Sequence, residues 1–142
     1  MPLTNFGALL NFAEEIERQD KHFYEVAAAN PACAGARSLF ALFIKDGEKN
    51  IQTVRRTRRE NVTEMILEGI QGFTRAPFMV QVDDPAAIME VEAVLAAARQ
   101  LEVRALRYYQ AAAEKIKALP EVARALKSMA KKRAAHLSKL EG

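Results

Sequence analysis

Apolar residues recur along most of this chain at the spacing of an α-helix, and this pattern constrains the fold more than any other feature. One stripe contains Leu9, Ala13, Ile16, Phe23 and Ala27, with Asp20 as its single polar interruption. A second stripe contains Ile88, Val91, Leu95, Ala98, Ala105 and Ala112. Residues three or four positions apart lie on one face of a helix. The pattern therefore predicts an all-α fold of amphipathic helices.

Proline and capping residues divide the pattern into four segments. Asn30 and Pro31 end the first segment, Leu119 and Pro120 separate the third from the fourth, and the sequence DDP at 83–85 is typical of a helix start. The length of 142 residues, half of them apolar, is enough for one domain with a sizeable core, residues 1–142. The predicted helices cover roughly residues 5–30, 35–60, 85–118 and 120–140.

The two halves of the chain resemble each other. A shift of 85 positions aligns residues 13–29 with 98–114, which places Glu17 on Glu102. A shift of 86 positions aligns residues 39–51 with 125–137. The chain is therefore interpreted as two copies of a helical hairpin.

The connection between the halves, residues 61–84, is far longer than a tight turn requires. It is long enough to return along the bundle, so that the third helix starts parallel to the second. A short helix near residues 62–71, followed by an extended piece, is expected. The connection carries apolar side chains that need cover from the bundle or from a partner chain: Met65, Ile66, Leu67, Ile70, Phe73, Phe78, Met79, Val80 and Val82.

Composition narrows the function classes. The single cysteine, Cys33, allows no intramolecular disulfide, and no Cys-x-x-Cys iron site is present. The opening residues lack the pattern of a secretory signal and no apolar run has the length of a membrane span, so a cytoplasmic protein is expected. The net charge of +3 is mild, and the basic clusters at 55–59 and 127–139 fall near helix ends. Nucleic-acid binding is therefore not favoured.

The segment A-x-x-x-E-x-x-x-x-x-F-Y at 13–24, and its echo ending in Tyr108 and Tyr109, resemble the rubrerythrin and ferritin-like di-iron family along nearly the whole chain. The resemblance implies a four-helix bundle of two hairpins joined by a long crossover connection. It also implies two iron ions held by a glutamate from the first helix of each half and a Glu-x-x-His from its second helix.

The sequence departs from this ligand pattern. Glu17 and Glu102 match the first-helix glutamates, but residues 47–50 read Gly-Glu-Lys-Asn and residues 133–136 read Arg-Ala-Ala-His. The ligand positions 47, 50 and 133 are thus occupied by Gly47, Asn50 and Arg133, and only His136 survives from the two second-helix motifs. The resemblance then implies a lost di-iron site without a cofactor. We expect Arg133 to pair with Glu102, Glu17 or both, because two carboxylates and one guanidinium nearly balance without metal.

Each candidate residue also has a simpler interpretation. Glu17 could be exposed and paired with Lys21, and Asp20, at a half-exposed position, is expected to meet solvent or a cation. Glu48, one position after Gly47, is expected to turn away from the site. His136 could be a satisfied histidine rather than a ligand. Tyr24 and Tyr109 are expected to pack in the core with hydrogen-bonded hydroxyl groups rather than to take part in redox chemistry.

These observations predict a non-catalytic scaffold or partner-binding protein, and no catalytic residue is assigned. A homodimer formed through residues 62–82 is expected, or a complex with an unknown protein partner. One alternative is an iron-binding oxidoreductase, a peroxidase, oxidase or iron-handling protein, with a reduced or mononuclear site built from Glu17, Glu102 and His136. A second alternative is a basic nucleic-acid-binding helical protein. Whether the chain is an enzyme stays open at this point.

Overall fold

In a computed structural model of the chain, four long α-helices form a bundle, as predicted. The structure describes residues 6–61, 73–88 and 90–141. The short helix expected near residues 62–71 lies outside this part of the chain. The long helices are α1 (Phe6–Ala29), α2 (Arg37–Glu60), α3 (Val91–Lys115) and α4 (Pro120–Glu141), with short 3-10 helices at Pro31–Ala36 and Ala76–Phe78.

The order of contacts between helices gives the crossover topology. Helices α1 and α2 form one antiparallel hairpin, and α3 and α4 form the other. The Tyr108 hydroxyl donates a hydrogen bond to the Leu9 carbonyl, whereas the Tyr24 hydroxyl reaches Glu102, so residue numbers fall along α3 as they rise along α1. Helix α3 is therefore antiparallel to α1 and parallel to α2. The described part of the connection runs along the bundle from Phe73, which stacks on Tyr108, to Pro85 at the end of α1, as the sequence predicts.

Helix α3 begins at Val91, later than the start predicted at residue 85. Asp84 Oδ1 accepts a hydrogen bond of 3.0 Å from the backbone two residues on, so it caps a single turn rather than the long helix. The Asn30 side-chain amide donates to the backbone carbonyls of Pro85 at 2.7 Å and Ile88 at 2.8 Å. Because these bonds hold both carbonyls against the end of α1, the helix starts only after them.

The apolar core is divided into two clusters, one toward each end of the bundle. The first cluster joins the start of α1, the end of α3 and the start of α4, and its members include Leu9, Ile16, Tyr108, Leu126 and Met129. The second joins the other ends of these helices with α2, and its members include Phe23, Phe40, Phe43, Val94 and Leu140. Buried apolar area stabilises the fold by roughly 25 cal/mol per Å². Between the two clusters lies a band of buried polar side chains.

Within the described residues, no single helix is long and apolar enough to cross a membrane. One bent pair, Gly7–Ala29 with Pro31–Glu60, has the length and composition to do so, with an angle of 112° between its members. Core helices of a bundle pass the same test.

Candidate functional site

The buried polar side chains between the two apolar clusters contact one another at the middle of the bundle. We call them the central network: Glu17, Asp20, Asn50, Glu102, Arg104, Arg133 and His136. None of these residues is more than 4% exposed. The exposed position considered for Glu17 is therefore wrong, and Glu102 is buried as well.

Arg133 joins the two halves of the bundle. Its Nη1 donates to Glu102 Oε2 at 2.6 Å, and its Nη2 donates to Glu17 Oε2 at 2.9 Å. Asp20 Oδ2 lies 3.0 Å from Nη1, close enough for an ion pair but without a hydrogen bond. The predicted pairing with Glu102, Glu17 or both is confirmed, and it includes both glutamates. A planar guanidinium suits this position because its separate nitrogens can reach two carboxylates at once.

Two tyrosines cross between the halves in a pseudo-symmetric manner. The Tyr24 hydroxyl donates to Glu102 Oε2 at 2.7 Å, and the Tyr109 hydroxyl donates to Glu17 Oε2. Each half thus supplies a tyrosine to the glutamate of the other half, at positions that the 85-residue shift superimposes. The expected core position with a hydrogen-bonded hydroxyl is confirmed for both tyrosines.

The equivalent positions of α2 and α4 also contact the two glutamates. Asn50 Nδ2 donates to Glu17 Oε1 at 3.2 Å, and His136 Nδ1 lies 2.8 Å from Glu102 Oε1. His136 Nε2 lies 2.8 Å from Asp46 Oδ2, and the ring stacks on Phe43 with the ring centres 3.9 Å apart. Both ring nitrogens face carboxylate oxygens, so His136 is a satisfied buried histidine.

Asp20 forms a second buried ion pair. Its Oδ1 accepts a hydrogen bond of 2.6 Å from Arg104 Nη2, while Arg104 Nη1 donates to the Phe78 carbonyl at 3.3 Å. The half-exposed position expected for Asp20 is wrong, although the expected contact with a cation is correct. Sequence reasoning missed Arg104. The antiparallel pairing of α1 with α3 is the signal that could have found it. Glu17 of α1 contacts Tyr109, and Tyr24 contacts Glu102. Asp20 lies between Glu17 and Tyr24, so its partner on α3 is expected between residues 102 and 109.

Gly47 faces the central network from α2. A Cβ atom at this position would lie 3.6 Å from Lys21 Cβ and 3.9 Å from Glu17 Oε1, which are ordinary contact distances. A cavity of about 10 Å³ beside it has room for roughly one water molecule. Glu48 is exposed and lies 3.8 Å from Lys21 Nζ, so its expected orientation away from the site is confirmed. The packing around Gly47 does not itself require a glycine.

All six positions that the di-iron resemblance singles out therefore meet in one place. The family model described as a ferritin-like domain matches residues 7–141. The chain belongs to the ferritin-like domain family. No curated protein and no solved structure matches it. The shared family explains the four-helix architecture, whereas the chemistry of the site has to be argued from its residues.

The buried charges of this ferritin-like protein nearly balance. The central network contains three carboxylates, on Glu17, Asp20 and Glu102, and two guanidinium groups, on Arg104 and Arg133. One additional proton, for example on Asp20, makes the buried set neutral. A buried charge is costly unless it is paired, so this balance is a condition for the fold.

Burial and charge act against each other on the ionisable groups of the network. Burial raises the pKa of Asp20 to about 6, although the nearby Arg133 and Arg104 lower it. Burial also acts to raise the pKa of Glu102, but Arg133 and the His136 contact outweigh it and hold this pKa below its ordinary range. Burial acts to lower the pKa of Arg133, and the surrounding carboxylates outweigh it and hold the pKa well above its ordinary value. Arg133 is therefore a permanent cation.

The residues present do not fit a di-iron centre. Arg133 puts a permanent positive charge between the two glutamates that such a centre would use as ligands. Gly47 and Asn50 provide neither a carboxylate nor an imidazole. Among residues 6–61, 73–88 and 90–141, no three His, Cys, Asp or Glu side chains form a group that could hold a metal ion.

Proposed function

We propose that this ferritin-like protein is a non-catalytic scaffold or partner-binding protein in which the central network takes the place of a di-iron centre. The observation that carries the proposal is Arg133, which is 2% exposed and binds Glu17 and Glu102 together. A guanidinium there supplies the positive charge that the carboxylates need, and it would repel a metal ion.

The geometry disfavours an iron-dependent oxidoreductase with a mononuclear site. Such a site would need lone pairs on Glu17, Glu102 and His136. Glu102 already accepts hydrogen bonds from Arg133 and Tyr24 on one oxygen, and its other oxygen contacts His136. Both His136 nitrogens are also occupied by carboxylate contacts. A metal ion would have to displace several buried hydrogen bonds at once.

A basic nucleic-acid-binding surface is also disfavoured. Arg133, a member of the second basic cluster, is buried, and in the first cluster Arg55 and Arg58 each lie 3.4 Å from a Glu14 oxygen. Both clusters therefore present less free positive charge than the sequence suggests.

Partner binding is supported by the apolar side chains of the connection. Phe73 and Phe78 pack in the core, but Met79 is 65% exposed. Met79 lines a groove together with Val103, which is 42% exposed, and neighbouring exposed apolar side chains mark interaction sites more often than isolated ones do. We propose a homodimer in which this region is covered.

The test of the non-catalytic role is an assay of iron and peroxide chemistry. We expect the purified protein, mixed with ferrous iron in air or with peroxide, to leave the rates of iron oxidation and peroxide consumption at the protein-free level. The variant Glu17→Gln with Glu102→Gln is the control for iron bound elsewhere on the surface. Turnover by the natural protein that this variant lacks would contradict the proposal.

A further inference from the structure

A basic groove runs between the connection and the outer face of α3. It has a volume of about 510 Å³, and its walls include the apolar side chains of Met79 and Val103. These are two of the three large apolar residues that are exposed in the described part of the chain, at 65% and 42%. Arg99 and Arg107 also line the groove, and neither forms an ion pair with a described residue. This groove presents protruding apolar side chains together with positive charge that no described residue pairs.

An acidic groove of about 750 Å³ lies next to it on the same face of α3. Asp83 and Asp84 supply its charge, and no lysine or arginine lines it. Its α3 wall consists largely of alanines, among them Ala93 and Ala96. Gln100 lines both grooves and separates them. The second groove is therefore opposite to the first in charge and has small side chains where the first has protruding ones.

The residues of α3 that join the two grooves follow a heptad spacing. Ala93, Ala96, Gln100, Val103 and Arg107 are all exposed and lie alternately three and four positions apart. This spacing is the one with which two helices pack along a continuous seam. The seam from 93 to 107 is about 21 Å long, since each residue of a helix rises about 1.5 Å.

We propose that the two grooves together form a self-complementary surface that binds a second copy of this chain, with the two α3 helices antiparallel around Gln100. A two-fold axis at Gln100 places Val103 of each copy against Ala96 of the other. It also brings Arg107 of each copy to the end of the seam that carries Asp83 and Asp84 in the other. A two-fold interface requires a patch that complements itself in this manner.

The charge pattern favours a second copy over another occupant. A ligand of one sign would match one groove and be repelled by the other, whereas an antiparallel copy pairs each groove with its opposite. The inference rests on the partner-binding part of the proposed function and names both the partner and the surface. The loss of iron chemistry is tested separately and does not depend on it.

The test uses two charge-reversed variants and their mixture. One variant carries Arg99→Glu and Arg107→Glu, and the other carries Asp83→Lys and Asp84→Lys. Sedimentation velocity over a range of concentrations measures self-association of each, and circular dichroism checks that each is folded. We expect the natural protein to dimerise and each variant alone to associate at least about tenfold more weakly, because like charges then face each other. The two variants mixed in equal amounts should form a mixed dimer.

A matched control reverses two arginines on α2. The variant Arg56→Glu with Arg59→Glu changes the net charge by the same amount outside the proposed surface, and it should dimerise as the natural protein does. The inference is overturned if the natural protein stays monomeric, or if it dimerises and both groove variants dimerise equally well. A natural protein that stays monomeric would contradict the homodimer but not the replacement of the di-iron site. Equal dimerisation of both groove variants would place the dimer interface on another surface.

Discussion

Replacing Arg133 by methionine tests how the fold accommodates its buried carboxylates. Methionine keeps much of the length and apolar volume of the side chain but removes the guanidinium. Glu17 and Glu102 then lose their shared cation while remaining buried at 1% and 0% exposure. Asp20 loses its contact as well and keeps only Arg104. Several negative charges would remain in the core with one positive charge.

The expected cost is large. The guanidinium forms two short hydrogen bonds to carboxylates, at 2.6 and 2.9 Å. Removing one partner of a buried ion pair costs about 3–5 kcal/mol, because the other partner stays buried without compensation. For a chain of this size, each kcal/mol lowers the midpoint of thermal unfolding by about 3 °C, which gives a decrease of about 10–15 °C.

Urea unfolding followed by circular dichroism measures this cost directly. The exposed Arg55→Met substitution is the matched control, and it should change the free energy of unfolding by no more than about 0.5 kcal/mol. The variant Arg133→Met with Glu17→Gln and Glu102→Gln should recover most of the loss, because the unpaired charges are gone. The cost of Arg133→Met alone should shrink at lower pH, where the carboxylates are neutralised by protons.

A loss below about 1 kcal/mol for Arg133→Met at neutral pH would refute this reasoning. So would a glutamine-containing variant that is no more stable than Arg133→Met, since the cost would then come from packing rather than charge.

Four further substitutions, in and around the central network, are measured by urea unfolding. Tyr109→Phe removes a hydrogen bond to the Glu17 carboxylate and should cost about 1.5–3 kcal/mol, whereas Tyr108→Phe removes one to a neutral carbonyl and should cost about 0.5–1.5 kcal/mol. The pKa of Asp20 is raised from 3.8 to about 6. Its contribution to the free energy of unfolding is therefore full below pH 3.8 and is lost as the pH rises through about 6. Relative to Asp20→Asn, the free energy of unfolding of the natural protein should decrease by roughly 3 kcal/mol between about pH 4 and pH 7. Gly47→Ala should stabilise the protein by about 0.5–1 kcal/mol, because its Cβ meets only ordinary contacts.

The same unfolding measurements can contradict each of these predictions. Equal losses for the two tyrosine variants would mean that the charge on Glu17 adds nothing to its hydrogen bond. A difference between natural protein and Asp20→Asn that stays flat or rises with pH would show that the Asp20 pKa is not raised. A destabilising Gly47→Ala would reveal a backbone or packing requirement for glycine at this position.

The helices follow from the sequence because they depend on periodicity, which the apolar stripes display. The 85-residue shift aligns Glu17 with Glu102, and the resemblance to the di-iron family implies that both face one site. The start of α3 does not follow in this way. It depends on Asn30, which binds two carbonyls of the connection from the end of another helix, and no local signal in residues 83–91 reports that contact.

The composition of the central network was predicted only in part. The contact of Arg133 with Glu17 and Glu102 could be predicted because position 133 is a ligand position in the di-iron family that the sequence resembles. Arg104 and Asp46 occupy no such position, so only the three-dimensional structure brings them to Asp20 and His136. Buried ion pairs between distant helices depend on the packing of the whole bundle, and a single sequence does not display it.

The measurement that tests the central claim most directly is the metal content of the purified protein after anaerobic incubation with excess ferrous iron. The variant Gly47→Glu, Asn50→His, Arg133→Glu restores the family's ligand types at the three replaced positions and is measured beside it. The account predicts that the natural protein stays empty while the variant takes up about two ions per chain, as an intact di-iron site would. Stoichiometric iron in the natural protein would contradict it.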